Sequence, residues 1–155
     1  MNARHVGNLF VVGQFTLLGV IIAGPGPRVF TIGGGLTVIA QAANFVALVL
    51  LLWSAVQLGK SLTAHPLPKE SAELIATGVY ARMRHPIYFF LMVFAALSAV
   101  TNGSIGALFS AVALIVLLNF KARFEESALR EKFAGYDTYA AKVPRFFPRF
   151  ALRNN

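Results

Sequence analysis

The chain has 155 residues, 57% of them hydrophobic and 13% charged, with a mean hydropathy of +0.66. That balance excludes an ordinary soluble domain. The formal charge of +8 would suit nucleic acid, but in a chain this apolar it marks loops that face anionic lipid. No cysteine is present, which excludes disulfides, thiolate catalysis and cysteine metal sites, and none of His5, His65 and His85 is spaced as a metal pair.

The first apolar segment, Leu9 to Ala23, follows Arg4 and His5 and has the outline of a signal peptide. No small-x-small cleavage pattern follows it, and Pro25 and Pro27 fit a turn between helices, so it reads as a retained helix. "GPGPR" and "GGG" separate it from Leu36 to Leu58, which carries no charge and is long enough to cross a bilayer. A longer polar stretch, Gly59 to His85, leads to Ile87–Val100 and, after the turn "TNGS", to Ile105–Phe120. The last two read as a hairpin of helices short for a full span. The chain then passes into "KARFEESALREKF", strong helix formers with alternating charge.

The basic residues orient these segments. Arg4 precedes the first, Lys60, Lys69, Arg82 and Arg84 lie in the second loop, and eight more follow the fourth segment. With both termini cytoplasmic, only Arg28 falls outside. The predicted fold is therefore all-α: a multi-pass membrane protein of four transmembrane helices, with a cytoplasmic loop and a C-terminal helical tail. It forms one membrane domain, in which residues 1–58 supply two helices, 59–148 carry the chemistry and 149–155 form a basic tail.

Two stretches concentrate reactive groups. In "ATGVYARMRHPIYFF", Pro86 fits the first turn of a helix, where its missing N–H costs nothing. His85 and Arg84 then stand at the positive end of that helix, a place suited to a carboxylate or phosphate, to which Arg84 can add a bidentate contact. The same residues also suit an interfacial anchor, with arginine on headgroups and tyrosines in the aromatic belt. In the tail, Lys121 with Glu125 and Glu126 with Arg130 have the spacing of stabilising helix pairs. Tyr136, Tyr139 and the "VPRFFPRF" run read as a segment lying along the membrane interface.

Taken together, "LIATGVYARMRHPIYFF" and "EESALREKFAGYDTYAAKVPRFFP" resemble the isoprenylcysteine carboxyl methyltransferase family and the related phospholipid methyltransferases, over about Gly59 to Pro148. The resemblance implies S-adenosyl-L-methionine as cofactor, with S-adenosyl-L-homocysteine as product, bound at the cytoplasmic face without a Rossmann domain. By position it implies cofactor contacts from Tyr80, His85, Pro86, Ile87, Tyr88 and Glu125, backbone contacts from Leu74 and Ile75, and a further polar contact from His65. Lys121 stands where the family has a basic acceptor-contacting residue, and Lys121 and Arg84 are the candidate catalytic residues. The partners implied are membrane lipids and a lipophilic small-molecule or lipidated acceptor, with no nucleic acid and no metal. Phe90 departs from the glycine common two residues after the motif tyrosine, and "FAGY" is one residue shorter than the usual spacing. Alternatives are a phospholipid amine methyltransferase, a sterol-reductase-like NADPH enzyme, for which no extra basic cluster singles out a 2′-phosphate, and a non-enzymatic scaffold or transporter. A transporter would place ionisable groups near midplane, where this sequence offers neutral Gln14, Gln41 and Asn44.

Overall fold

The computed structural model describes residues 2–148. The predicted basic tail, 149–155, lies outside the described residues. The fold is all-helical: α1 (Ala3–Ala23), α2 (Gly34–Leu58), α3 (Pro86–Asn102), α4 (Ile105–Lys132) and α5 (Tyr136–Lys142), with short 3-10 turns at Gly59–Ser61 and Gly78–Ala81. Asn2 caps α1 through its side chain, which accepts from Arg4 N, so the helix starts six residues before its apolar run.

Among the described residues, three helices are long and apolar enough to cross a membrane: α1, α2 extended through Ser61, and α4. The fourth, α3, has 17 residues and spans about 25 Å at 1.5 Å per residue, less than the roughly 30 Å hydrocarbon core. The expectation that α4 would also be short is corrected. It runs unbroken for 28 residues, because the charged "KARFEESALREK" consists of residues that favour helix and simply continues the apolar helix out of it.

The helices pack in the order α2–α3–α4–α1, with a lesser contact between α1 and α3. At the centre, Ala95 and Ala99 of α3 face Ala107 and Ala111 of α4, flanked by Leu91, Leu114, Leu118 and Ile21. Small residues at this contact let the two backbones approach where no water is present to drive association. Asn44 of α2 donates to Ser98 of α3 at 2.8 Å, a polar fastening of the type such helices use. The outer faces remain apolar and exposed, among them Phe15, Ile39, Phe45, Trp53, Phe109 and Phe120, as a lipid-facing surface requires.

At one end of the bundle the α1–α2 connection docks on the hairpin turn. Val29 N donates to Gly103 O, Ile105 N to Pro27 O and Gly106 N to Pro25 O. Ser104 is buried and caps α4 by accepting from Ala107 N. Gly103 has φ +69°, and a side chain there would run into the carbonyl of Phe30. Gly103→Ala is therefore expected to cost about 1–3 kcal/mol of stability. An unchanged thermal midpoint in detergent would refute this account of the turn.

Candidate active site

At the opposite end of the bundle, the polar loop is held against α2 before it enters α3. Gly78, at φ +60°, makes a turn whose Val79 N donates to Gln57 Oε1 at 2.9 Å. Tyr80 Oη then donates to Ser54 O at 3.2 Å. Farther back, Ser61 Oγ accepts from Glu73 N at 3.0 Å, which closes the loop and brings Leu74 and Ile75 inward. His85 takes the cap position of α3 and Pro86 its first turn. The first-turn amides of Ile87 and Tyr88 consequently have no intrahelical acceptor.

These elements enclose a cleft of about 670 Å³ of empty space, its open mouth included. Of the residues expected to bind a cofactor, Leu74, Ile75, Tyr80, His85, Pro86, Ile87, Tyr88 and Glu125 all line it, and so does Arg84. Glu125 Oε2 accepts from Tyr88 Oη at 2.6 Å, and His85 Nδ1 lies 3.9 Å from the same oxygen. The His85 and Tyr88 rings are stacked, with centroids 5.3 Å apart and planes 8° from parallel.

Two expected residues lie elsewhere. His65 lines a separate concavity with Arg4 and Lys69, and its ring is occupied: Nδ1 accepts from Leu67 N, and Nε2 faces Arg4 O at 3.4 Å. Lys121 does not line the cleft. It is 1% exposed, its Nζ donates to Gln14 Oε1 at 2.6 Å, and it lies 5.1 Å from the centre of the Tyr88 ring. The predicted helix pair between Lys121 and Glu125 is thus replaced by contacts to other helices.

The residue missed in the sequence is Glu126. It is 1% exposed, and three arginines and a histidine gather on it among the described residues. Arg145 grips both oxygens at 2.9 and 2.7 Å, Arg84 lies at 3.1 Å, His85 Nε2 at 3.2 Å and Arg130 at 4.0 Å. The predicted Glu126–Arg130 pair is the weakest of these, and Arg130 turns to Asp137 at 2.9 Å instead. Bonding to Glu126 holds the Arg145 guanidinium above its ordinary range.

This cluster bears on two expectations. Both terminal nitrogens of Arg84 are engaged, one on Glu126 and the other donating to Ala140 O at 3.0 Å, while Nε has no partner among the described residues. The Pro144–Phe147 run is also tied to the approach to α3, while Phe147 stays largely exposed. Arg84 N donates to Pro144 O and His85 N to Arg145 O, while Phe146 packs on His85 and Phe147 on Phe89. The tail thereby brings Tyr136 and Tyr139 into the cleft wall, and Tyr139 Oη donates to Tyr80 O at 2.6 Å. Burial pushes the Tyr80 and Tyr136 phenols upward and Tyr139 to about 12, so all three remain hydroxyls at physiological pH.

A profile of the isoprenylcysteine carboxyl methyltransferase (ICMT) family matches residues 38–131. The chain belongs to this family. The ICMT match takes in the cleft residues from Leu74 to Leu129 but stops short of Tyr136, Tyr139 and Arg145. The chain is also similar to the nickel-cobalt-cadmium resistance protein NccN of Alcaligenes xylosoxydans xylosoxydans, at 35% identity over 85 residues, 54% of this chain and 40% of that protein. It therefore spans about two fifths of that relative's length.

Removing Arg145 deprives the buried Glu126 of its two-bond partner. Arg145→Ala is expected to cost about 1.5–3 kcal/mol. In a double-mutant cycle with Glu126→Gln the two losses should fall well short of adding, whereas simple additivity would mean that the tail does not depend on this pair.

Proposed function

We propose that the protein transfers a methyl group from S-adenosyl-L-methionine to a lipophilic acceptor, an isoprenylcysteine-like carboxylate or a comparable nucleophile, at the cytoplasmic membrane face. This reading includes four membrane-crossing helices with both termini cytoplasmic, consistent with the bias of basic residues toward the cleft end. The observation that carries it is the convergence of Tyr80, His85, Tyr88, Glu125, Tyr136 and Tyr139 on one cleft within a family of methyltransferases.

The donor set fits such a cofactor. Arg84 Nε and Tyr136 Oη are buried without a hydrogen-bond partner among the described residues, and both residues line the cleft. Buried polar atoms are rarely left this way unless something else satisfies them. With the first-turn amides of α3, they offer donors to a carboxylate. Glu125, oriented by Tyr88, offers an acceptor to an ammonium or a ribose hydroxyl. The Tyr80 and Tyr88 rings provide faces for adenine or a sulfonium. When bound, the cofactor supplies an activated methyl on sulfur: an acceptor oxygen forms the new bond to carbon as the carbon–sulfur bond breaks and its electron pair stays on sulfur. An anionic oxygen has no proton to lose, so the protein's task is alignment and exclusion of water. Lys121, 5.1 Å from the centre of the Tyr88 ring, would meet the acceptor.

Calorimetric titration of the detergent-purified protein with S-adenosylhomocysteine, with NADPH as control, is expected to show one saturable site for the former alone. Binding of NADPH, or of neither ligand by folded protein, would overturn the reading. His85→Ala and Glu125→Gln should each weaken S-adenosylhomocysteine binding about tenfold or more while secondary structure stays intact. Affinity unchanged in both would remove the cleft from consideration.

A further inference from the structure

A second concavity opens at the cleft end of the bundle, between the start of α1 and the loop that follows α2. It encloses about 770 Å³ of empty space, its open mouth included, and Arg4, Asn8, His65, Pro68, Lys69 and Glu70 line it. Its walls are held in place. The His65 ring rests on Gly7, where no side chain would fit, and is bonded to main-chain groups of Leu67 and Arg4. Lys132, at the end of α4, donates to the carbonyls of Lys69 and Glu70. It thereby clamps their backbone without engaging the Glu70 carboxylate.

The charges in this hollow are not used up. Arg4, Lys69 and Glu70 are exposed, and among the described residues none of the three side chains has an ion-pair partner. Lys69 Nζ donates to Lys60 O at 3.2 Å, which occupies one of its three donors. The face of α1 that leads away from the hollow is apolar. Successive helix positions turn by about 100°, so Arg4, Asn8, Val12, Phe15 and Ile22 share one stripe, and the last three are exposed. With 21 residues, α1 is about 31 Å long, close to the thickness of the hydrocarbon core. Arg4 therefore stands at headgroup depth, and Val12 about 12 Å deeper. An amphiphile matches this surface, with a head in the hollow and a chain along the stripe. Glu70 would repel a purely anionic head, but it suits one that also carries an ammonium.

We propose that this concavity binds a glycerophospholipid with a primary-amine headgroup, held as a structural lipid and not as a methyl acceptor. Arg4 and Lys69 hold its phosphate, Glu70 its ammonium, and an acyl chain lies along Val12, Phe15 and Ile22. The lipid bridges α1, which precedes the residues matched by the family, to the loop that carries Leu74 and Ile75 into the cleft. The concavity and the cleft share no lining residue, so the inference stands apart from the methyltransferase reading.

The experiment titrates delipidated full-length protein in detergent with phosphatidylethanolamine, phosphatidylglycerol and phosphatidylcholine of matched chains, and counts bound lipid by native mass spectrometry. One saturable site is expected for phosphatidylethanolamine, about fivefold or more tighter than for the other two. A glycerol head has no ammonium, and a choline head has no N–H to donate to Glu70. Arg4→Gln and Lys69→Gln should each weaken this binding about fivefold or more. Glu70→Gln should abolish the preference over phosphatidylglycerol and leave binding of the latter intact. Circular dichroism checks that each variant is folded.

Arg82→Gln removes an exposed cation outside the hollow and should change nothing. An equal loss there would mean only a general attraction of lipid to basic surface, and would overturn the proposal. Equal affinity for the three lipids would do the same, as would binding undisturbed by the combined Arg4→Gln and Lys69→Gln changes. A preference for phosphatidylglycerol that survives Glu70→Gln would also sink it. Thermal stabilisation by free phosphoethanolamine or inorganic phosphate equal to that by the lipid would show that the apolar stripe takes no part, and the lipid assignment would fall.

Discussion

Most of this structure depends on one carboxylate kept out of water. Glu126 sits near the end of α4 with almost no exposed surface, where an unpaired charge would be strongly destabilising. Its partners come from three places in the chain: Arg84 and His85 from the approach to α3, Arg145 from beyond α5, and more distantly Arg130 from its own helix. Satisfying it therefore fixes where α3 begins and how the tail folds back. Once Arg84 and His85 are in place, their backbone N–H groups are aligned for the carbonyls of Pro144 and Arg145, and α5 is drawn across the cleft. The buried charge adds little stability of its own accord, but few other arrangements of this chain would satisfy it.

Glu125 and Glu126 are neighbours in sequence with separate tasks. Adjacent positions on a helix point about 100° apart, so one carboxylate turns into the ion cluster while the other meets Tyr88 at the cleft wall. His85 sits between them, with one ring nitrogen toward each. The side chain nearest the helix mouth is thus held from both directions and stacked on Tyr88. That is the kind of preorganisation that an alignment-limited reaction requires.

The features written locally were legible in the sequence. Uninterrupted apolar runs marked the helices, Pro86 marked the start of α3, and "TNGS" marked a turn, because each depends on neighbours within a few residues. The cleft residues of the Tyr80 to Tyr88 stretch were implied by the family resemblance, which a contiguous motif carries. The rest required distant partners. Nothing local distinguishes Glu126 from Glu125, since only packing decides which side of α4 is covered. Pro144 to Phe147 has the composition of an interfacial segment, and its bonds to Arg84 and His85 join positions about sixty residues apart. Lys121 has a ready partner at helix spacing in Glu125, yet it reaches Gln14, 107 positions away. His65 is polar in the right loop, but its ring is already bonded to Leu67 and Arg4.

The smallest of these features lies where α1 begins. At Gly7 the His65 ring rests directly on the helix, leaving no space for any side chain. Farther along the same helix, Gln14 meets Lys121, and Gly24, with its own positive φ, gives way to Asn102. The N-terminal helix and its cap are thus keyed to the rest of the chain like a tally stick, by a gap at Gly7, an amide at Gln14 and a second gap at Gly24. Grafting another apolar helix of equal length onto residues 34–148 would reproduce its hydrophobicity and lose this correspondence. The first 24 residues and the matched core are therefore constrained to change together, although only the core carries the family's signature.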